Sequence, residues 1–293
     1  MSLESALALI ESVSDYRVLF VGEYIVDEYH YVTPLGKAQK EHLIPVSYRD
    51  QEVFDGGVVA AANHLRSFCA KVEIHRNMRP IRKARMVERN DNASIMRKLF
   101  EIHYDDDGLH ENGYFDDGYD VVAVADFGHG YITSDMIAKL CKMPFVAVSA
   151  QTNSSNIGFN LITKYPRADY IVIDEPEARL AAADRHGYIG NVMEKLSHGR
   201  CNKFVVTHGR NGAYGYQDGI FTHVKSMSEH VLDTMGAGDA FFAVTAPMAK
   251  IGDMDDLLLI GNAAGALKTQ IVGHREPVTK PKLIEFLKTH ARA

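Results

Sequence analysis

No stretch of the chain reaches the roughly 18 uninterrupted apolar residues that a membrane-spanning helix requires, so membrane insertion is not expected. Cysteine is scarce. Cys69, Cys141 and Cys201 are odd in number, far apart and without CxxC spacing, which predicts buried free thiols and excludes a disulfide framework or a cysteine zinc site. Excess basic charge is also lacking: 32 Lys and Arg stand against 38 Asp and Glu, a net charge of -6. This charge balance argues against wide nucleic-acid contacts, because their affinity rests on neutralising phosphates, and a small substrate is expected. The 14 histidines include no HExxH or HxxxH pair with helical support, which removes a histidine-based catalytic metal. There is no G-x-x-x-x-G-K-[ST] loop and no G-x-G-x-x-G after the first strand, which counts against P-loop NTPases and dinucleotide-binding dehydrogenases. Internal repeats, low-complexity tracts and Pro/Ser-rich linkers are absent too, so separate beads on a string are not expected. The first residues, MSLESALALIESVSDYR, have no basic leader and carry acids inside the apolar run. They read as a short amphipathic helix rather than a signal peptide, which predicts a cytoplasmic protein.

What the chain does have is the composition of a globular protein, 46% apolar and 24% charged over 293 residues. That length suits one large α/β domain or a main domain with an appendage. Val18–Val21, Val121–Ala125, Phe145–Val148, Tyr170–Ile173 and Phe204–Thr207 are short, Val/Ile-rich runs bounded by turn residues, as expected of strands buried on both faces of a parallel sheet. Helix-like stretches at 57–68, 133–141, 175–185, 237–250 and 255–270 separate or follow them. The alternation predicts a single α/β domain over residues 1–293, a doubly wound and mostly parallel sheet flanked by helices, with ligands at the carboxyl ends of the strands. Residues 28–55 and 83–104 break the rhythm. Tyr29–Val32, Leu43–Val46 and Lys98–Tyr104 look like short β elements without crossover helices, which predicts a small antiparallel β lid that excludes water.

The segment Asp233-Thr234-Met235-Gly236-Ala237-Gly238-Asp239 opens a helix. Glycines there let the N–H groups of Gly236, Ala237 and Gly238 converge on an anion, aided by the helix dipole. Asp239 would then sit beside a bound phosphate and could take a proton from an attacking hydroxyl. A bland alternative stays open at this level, in which Asp233 or Asp239 merely caps the helix.

The full string DTMGAGDAFFA resembles the C-terminal signature of the PfkB, or ribokinase-like, family of small-molecule kinases. The resemblance implies ATP and Mg²⁺, Asp239 as general base, and Gly236, Ala237 and Gly238 as the cradle of the transferring phosphate. It also implies that Asp233 helps to bind a monovalent cation such as K⁺. Val18–Asp27 resembles the family's first strand, making Asp27 a candidate for sugar hydroxyls, although alone it would pass for a turn residue. Gly56-Gly57 and Asn63 resemble the substrate-contacting G-G…N motif, with a loop and an Ala-rich helix as the plain alternative. Asp174-Glu175-Pro176-Glu177 stands where the family has N-x-x-E, so Asp174 and Glu177 are candidates for Mg²⁺ through water. Thr207, Gly209, Gly212 and Asn262 fall in segments similar to those around the adenine pocket, and the likeness spans Val18 to about Phe286.

Within the family the lid, Ala125–Gly130 and Ile81–Arg85 look most like the kinase domain of heptose 7-phosphate kinases. Lys83 and Arg85, on one face of a strand, could clamp a phosphate already on a sugar-phosphate acceptor. A solvated edge strand and a nucleic-acid patch are the alternatives. Three departures stand out. The segment Ala70–Arg79 is short enough to imply a missing βα unit, Ser149–Asn156 replaces a D-P-K motif and its lysine, and the sequence stops at Ala293 without a nucleotidyltransferase domain, which leaves any downstream nucleotidyl transfer to another protein. The resemblance further implies a homodimer joined through the β lid. A catalytically idle sugar-phosphate or nucleotide binder, and a kinase of a non-sugar alcohol such as a nucleoside, are the rival functions.

Overall fold

The structure, a computed structural model, describes residues 2–88, 96–104, 115, 116 and 118–290. Helix α1 (Leu3–Ser12) leads into β1 (Arg17–Gly22), and the chain then leaves through β2 (Tyr24–Pro34) and returns through β3 (Val46–Gly57) to α2 (Val58–Leu65) and β4 (Lys71–Arg76). A second excursion runs through β5 (Ile81–Glu88) and β6 (Arg97–Tyr104). Afterwards come β7 (Val121–Asp126), α3 (Ser134–Leu140), β8 (Val146–Ala150), β9 (Tyr170–Asp174), α4 (Glu175–Ala182), α5 (Ile189–Ser197) and β10 (Lys203–Thr207). The hairpin β11 (Ala213–Gln217) and β12 (Ile220–Val224) precedes α6 (Ala237–Met248), α7 (Met254–Lys268) and α8 (Lys280–His290).

Eight strands form the main sheet in the order β12-β11-β10-β9-β8-β7-β1-β4. The six from β10 to β4 are parallel, only β11 runs against them, and β12, antiparallel to β11, returns to their direction. β7 and β8 are buried along their whole length, as continuous apolar runs covered on both faces must be. The doubly wound α/β expectation holds, with β4, α5, the strands β11 and β12, and α8 as additions that the sequence reading did not assign. The three cysteines are free and half-buried, and burial pushes the Cys69 and Cys201 thiols up to about 12. Among the described residues no helix is long and apolar enough to cross a membrane.

The lid is a separate four-stranded sheet in the order β3-β2-β5-β6. It is mixed, not antiparallel: β2 pairs with β3 and β5 with β6 antiparallel, but β2 and β5 are parallel. The reason is topological. β1 and β4 are parallel neighbours, and each runs on into the lid, β1 through Glu23 and β4 through Asn77–Pro80, so β2 and β5 climb side by side. Asn77 is buried and ties the two exits together, accepting from the Tyr24 N–H at 2.6 Å. This connection also corrects the expected missing unit, because the strand of that unit is present as β4 and only the helix after it is absent. Of Leu43–Val46 only Val46 lies in a strand, and residues 89–95 of the expected 83–104 segment fall outside the described residues. The lid rests on a small core of its own, Tyr29, Tyr31, Phe54 and Val87, packed with Met96, Met235 and Val272. It is thereby seated on the loop that precedes α6.

Candidate active site

Helix α6 is apolar almost throughout and buried from Ala240 to Met248, so packing fixes its axis. Its N-terminus therefore points at one spot. Gly236 is the N-cap in the left-handed conformation, φ 72°, and no side chain caps the first turn. The N–H groups at this end lie beside open space, the arrangement that holds an anion. Asp239, in that first turn, does not fold back to cap its own helix. Its carboxylate accepts a hydrogen bond from Gln151, just past β8, which removes the capping alternative. Burial raises the Asp239 carboxyl above the usual carboxylate range, while His274, Gln151 and Lys268 pull it down.

Two cavities meet here. The smaller, about 460 Å³, is lined by Gln151, Asp174, Glu177, Thr207, Gly236 and Asp239 among others. The larger, about 1040 Å³, runs from Thr207, Gly209 and Gly212 past Ala237 and Phe241 to Asn262. Thr207, Gly209 and Gly238 line both, so the α6 N-terminus stands at the junction of one continuous groove at the carboxyl ends of the strands. Every nucleotide-side residue expected from the sequence lines it.

Asp174 and Glu177 form a reciprocal capping box on α4: Asp174 accepts from the Glu177 N–H and Glu177 from the Asp174 N–H, each at 2.8 Å. Glu177 also accepts from the Thr152 N–H at 2.8 Å. Burial and then the nearby Asp174 push the Glu177 carboxyl up to about 8. Among the described residues no three His, Cys, Asp or Glu side chains converge as a metal cage. A pair of hard oxygen donors on a groove wall nevertheless fits Mg²⁺, which keeps most of its waters and takes the rest of its shell from phosphates.

Across from the groove the lid contributes its inner face. Asp27 and Lys83 are register partners on β2 and β5, as are Tyr29 and Arg85. Asp27 is buried, forms an ion pair with Arg85 and lies 3.4 Å from His274 Nε2. Burial would raise its carboxyl, but the His274 and Arg85 hydrogen bonds and charges outweigh it and hold the group down at about 2. Gly56 is required beside it, since a Cβ there would overlap Asp27 Oδ2; Gly57 caps α2 on the same strand end. Arg85 also pairs with Glu101 of β6 at 3.3 Å. Lys83 is only 6% exposed, and no hydrogen bond or ion pair engages its ammonium among the described residues. β5 lies between β2 and β6, so the solvated-edge alternative for Lys83 and Arg85 is corrected: both side chains are turned inward.

Two expectations fail. Asn63 is not brought to this group, because its side chain accepts from Arg66 at 2.8 Å in an exposed bond. Asp233 is not open to a cation either. Its Oδ1 accepts from Lys98 Nζ at 2.8 Å and the Met235 N–H at 3.1 Å, and its Oδ2 from the Tyr29 hydroxyl at 2.8 Å and the Gly273 N–H at 2.9 Å. The residues there do not fit a bound K⁺.

Sequence reasoning missed Gln151 and His274. His274 follows α7 by six residues, and only the fold sets it between Asp27 and the α6 loop: a methyl group on Gly236 would stand 3.1 Å from its Cε1. Its Nδ1 is buried without a hydrogen-bond partner. The loop Ala125–Gly130, by contrast, is structural. Glu23 accepts from the Phe127 and His129 N–H groups, and Asn156 donates to the Phe127 and Gly128 carbonyls.

Comparison with known proteins agrees with this geometry. Residues 140–281 match the pfkB family carbohydrate kinase profile. A segment of 129 residues, 41% of this chain, is 30% identical to the Arabidopsis thaliana protein described as "Probable fructokinase-6, chloroplastic" and covers 34% of it. The match thus spans about a third of that relative's length. Among solved structures, Arabidopsis thaliana ribokinase complexed with ribose and ATP superposes with a TM-score of 0.68 at 16% identity, over 94% of this chain and 99% of that one. Escherichia coli phosphofructokinase-2 in complex with potassium superposes with a TM-score of 0.66 at 12% identity, over 94% of this chain and 100% of that one. The chain has the ribokinase-like fold, and its residues 140–281 are related to the pfkB family of carbohydrate kinases.

Proposed function

We propose that the protein transfers the γ-phosphoryl group of ATP to a hydroxyl of a sugar or sugar phosphate. The observation that carries this reading is the placement of Asp239 and the uncapped α6 N-terminus between a continuous nucleotide-sized groove and the inner face of a lid. ATP lies along the groove, its base end towards Asn262 and its phosphates near Gly236–Gly238. When bound through water near Asp174 and Glu177, Mg²⁺ supplies charge neutralisation for the phosphate chain. The acceptor lies beneath the lid, where the ionised Asp27 and the Gly56–Gly57 strand end face it. Asp239 takes the acceptor proton as that oxygen bonds to the γ-phosphorus and the bond to the bridging oxygen of ADP breaks. The raised affinity of Asp239 for a proton suits that task.

The acceptor's class is read from the lid. Lys83 is largely buried beside Arg85 and its ammonium makes no hydrogen bond among the described residues, with the Asp27 and Glu101 charges only nearby, so its donors are left for an incoming anion. This favours an acceptor that already carries a phosphate, heptose phosphates among them, over a neutral sugar. The outer face of the lid leaves Phe100, Ile102 and Tyr104 exposed at alternate positions of β6, with Tyr48 and Val53 of β3 also exposed; a second copy of the chain covering that face gives a homodimer. Sedimentation velocity tests it, with a dimer expected for the wild type and a monomer for Phe100→Glu/Ile102→Glu. A wild-type monomer at working concentration refutes the dimer.

The experiment for the reaction is ADP release across matched panels of free sugars, sugar phosphates and nucleosides. Turnover with sugar phosphates above free sugars is expected. ATP binding without turnover on any acceptor supports the idle-binder alternative, and turnover confined to nucleosides supports the non-sugar kinase.

A further inference from the structure

The monovalent-cation expectation fails for a structural reason that extends beyond Asp233. Lys268, the last residue of α7, is fully buried. Its Nζ donates to the carbonyl oxygens of Met235 at 2.8 Å, Gly273 at 2.7 Å and Ile271 at 3.4 Å. An ammonium has three donors, and this cradle offers three acceptors, so none is left over. The carbonyls come from two separate segments, the loop before α6 and the segment after α7. Carbonyl oxygens converging on one buried point make a cation site, and here the cation is covalently attached to the chain. The stem lies against the anion-binding loop as well: a methyl group on Gly236 would stand 3.3 Å from Lys268 Cε. On the other side of Met235, Lys98 from the lid neutralises Asp233 directly.

We propose that the Lys268 ammonium is a tethered replacement for a monovalent cation, pinning the Met235 carbonyl to the Gly273 segment and so positioning Gly236–Gly238. It is a positioning residue, because it acts through backbone carbonyls and does not touch the reacting atoms. This inference rests on the phosphoryl-transfer reading of the α6 loop. Its consequence is that the protein neither binds nor needs K⁺ at this place. Burial pulls the ammonium down to about 8 while Asp233 and Asp239 hold it up, in keeping with a charge retained at neutral pH.

Two measurements test it. The first needs no turnover: thermal unfolding of the wild type is titrated with potassium chloride and with choline chloride at matched ionic strength. Coincident curves are expected, whereas a saturable rise in Tm specific to K⁺ shows an open cation site and overturns the proposal. This arm decides the question even if no acceptor is ever phosphorylated, which keeps its failure distinct from failure of the kinase reading. The second, read once an acceptor is known, is Lys268→Met, which keeps the stem and removes the charge. A fall in kcat of about 10- to 100-fold is expected from losing charge-assisted bonds, with the acceptor KM little changed. A variant that folds with unaltered kcat overturns the positioning role; should it not fold, the wild-type salt titration still stands as the test.

Discussion

Asp27→Asn separates what the Asp27 carboxylate does for the fold from what it does for an acceptor. This buried group is clasped by Arg85 and His274. Its folded-state affinity for protons is depressed, from an ordinary 3.8 to about 2. For a depressed acid, the stabilising contribution is present above the unfolded value and is lost as pH falls through the folded one. A depression of this size corresponds to about 2 kcal/mol. Removing the charge also leaves Arg85 inside the lid with Glu101 as its remaining anion. Breaking a buried pair by deleting one partner costs about 3–5 kcal/mol, and the surviving Glu101 contact brings the expected loss just below that range, to about 2–3 kcal/mol. Urea unfolding of wild type and variant should therefore differ by that amount near neutral pH. The two curves should converge as pH is lowered from about 5 to about 2. Arg85→Met added to Asp27→Asn should recover part of the loss, because no uncompensated guanidinium then remains. A neutral-pH difference below about 0.5 kcal/mol, the level of an ordinary surface change, or a difference that persists unchanged into acid, would refute this account of the lid.

Two further outcomes follow from the same geometry. Gly212→Ala places a Cβ against the Val224 carbonyl at φ 90°, so it should destabilise the protein by about 1–3 kcal/mol and raise the KM for ATP, as read by thermal shift and steady-state kinetics; unchanged values would mean the β10–β11 turn adapts freely. Lys83→Met should raise the KM of a phosphorylated acceptor about 10- to 100-fold while leaving the ATP KM alone, and an equal effect on an unphosphorylated acceptor would show that Lys83 recognises something other than phosphate.

Legibility from sequence followed how local the determinants are. The Asp233–Asp239 segment could be placed at a helix start because glycine spacing announces such a turn directly, and Gly236 is the N-cap of α6. Buried strands could be read from their continuous Val and Ile runs. Asn63 was misplaced because each residue along a helix turns the side chain by about 100°, so its position in the sequence does not say which side of α2 meets the lid. Lys83 and Arg85 could be put on one face of a strand, but not at its centre or edge, since strand order in the lid depends on β1 and β4 entering it side by side. His274, Gln151 and Lys268 were missed for the same reason: they come from the ends of separate elements, and a lysine closing a helix looks from sequence like an ordinary partner for the helix dipole. The fold alone brings its ammonium onto three carbonyls.

The central claim is that Asp239 receives the acceptor proton at the α6 N-terminus. The most direct measurement is single-turnover phosphoryl transfer by Asp239→Asn, with ATP affinity determined in parallel. The account predicts ATP binding close to that of the wild type, an intact fold, and a transfer rate lower by about 10²- to 10⁴-fold, the usual contribution of a general base. A transfer rate equal to the wild type's with ATP bound would contradict it.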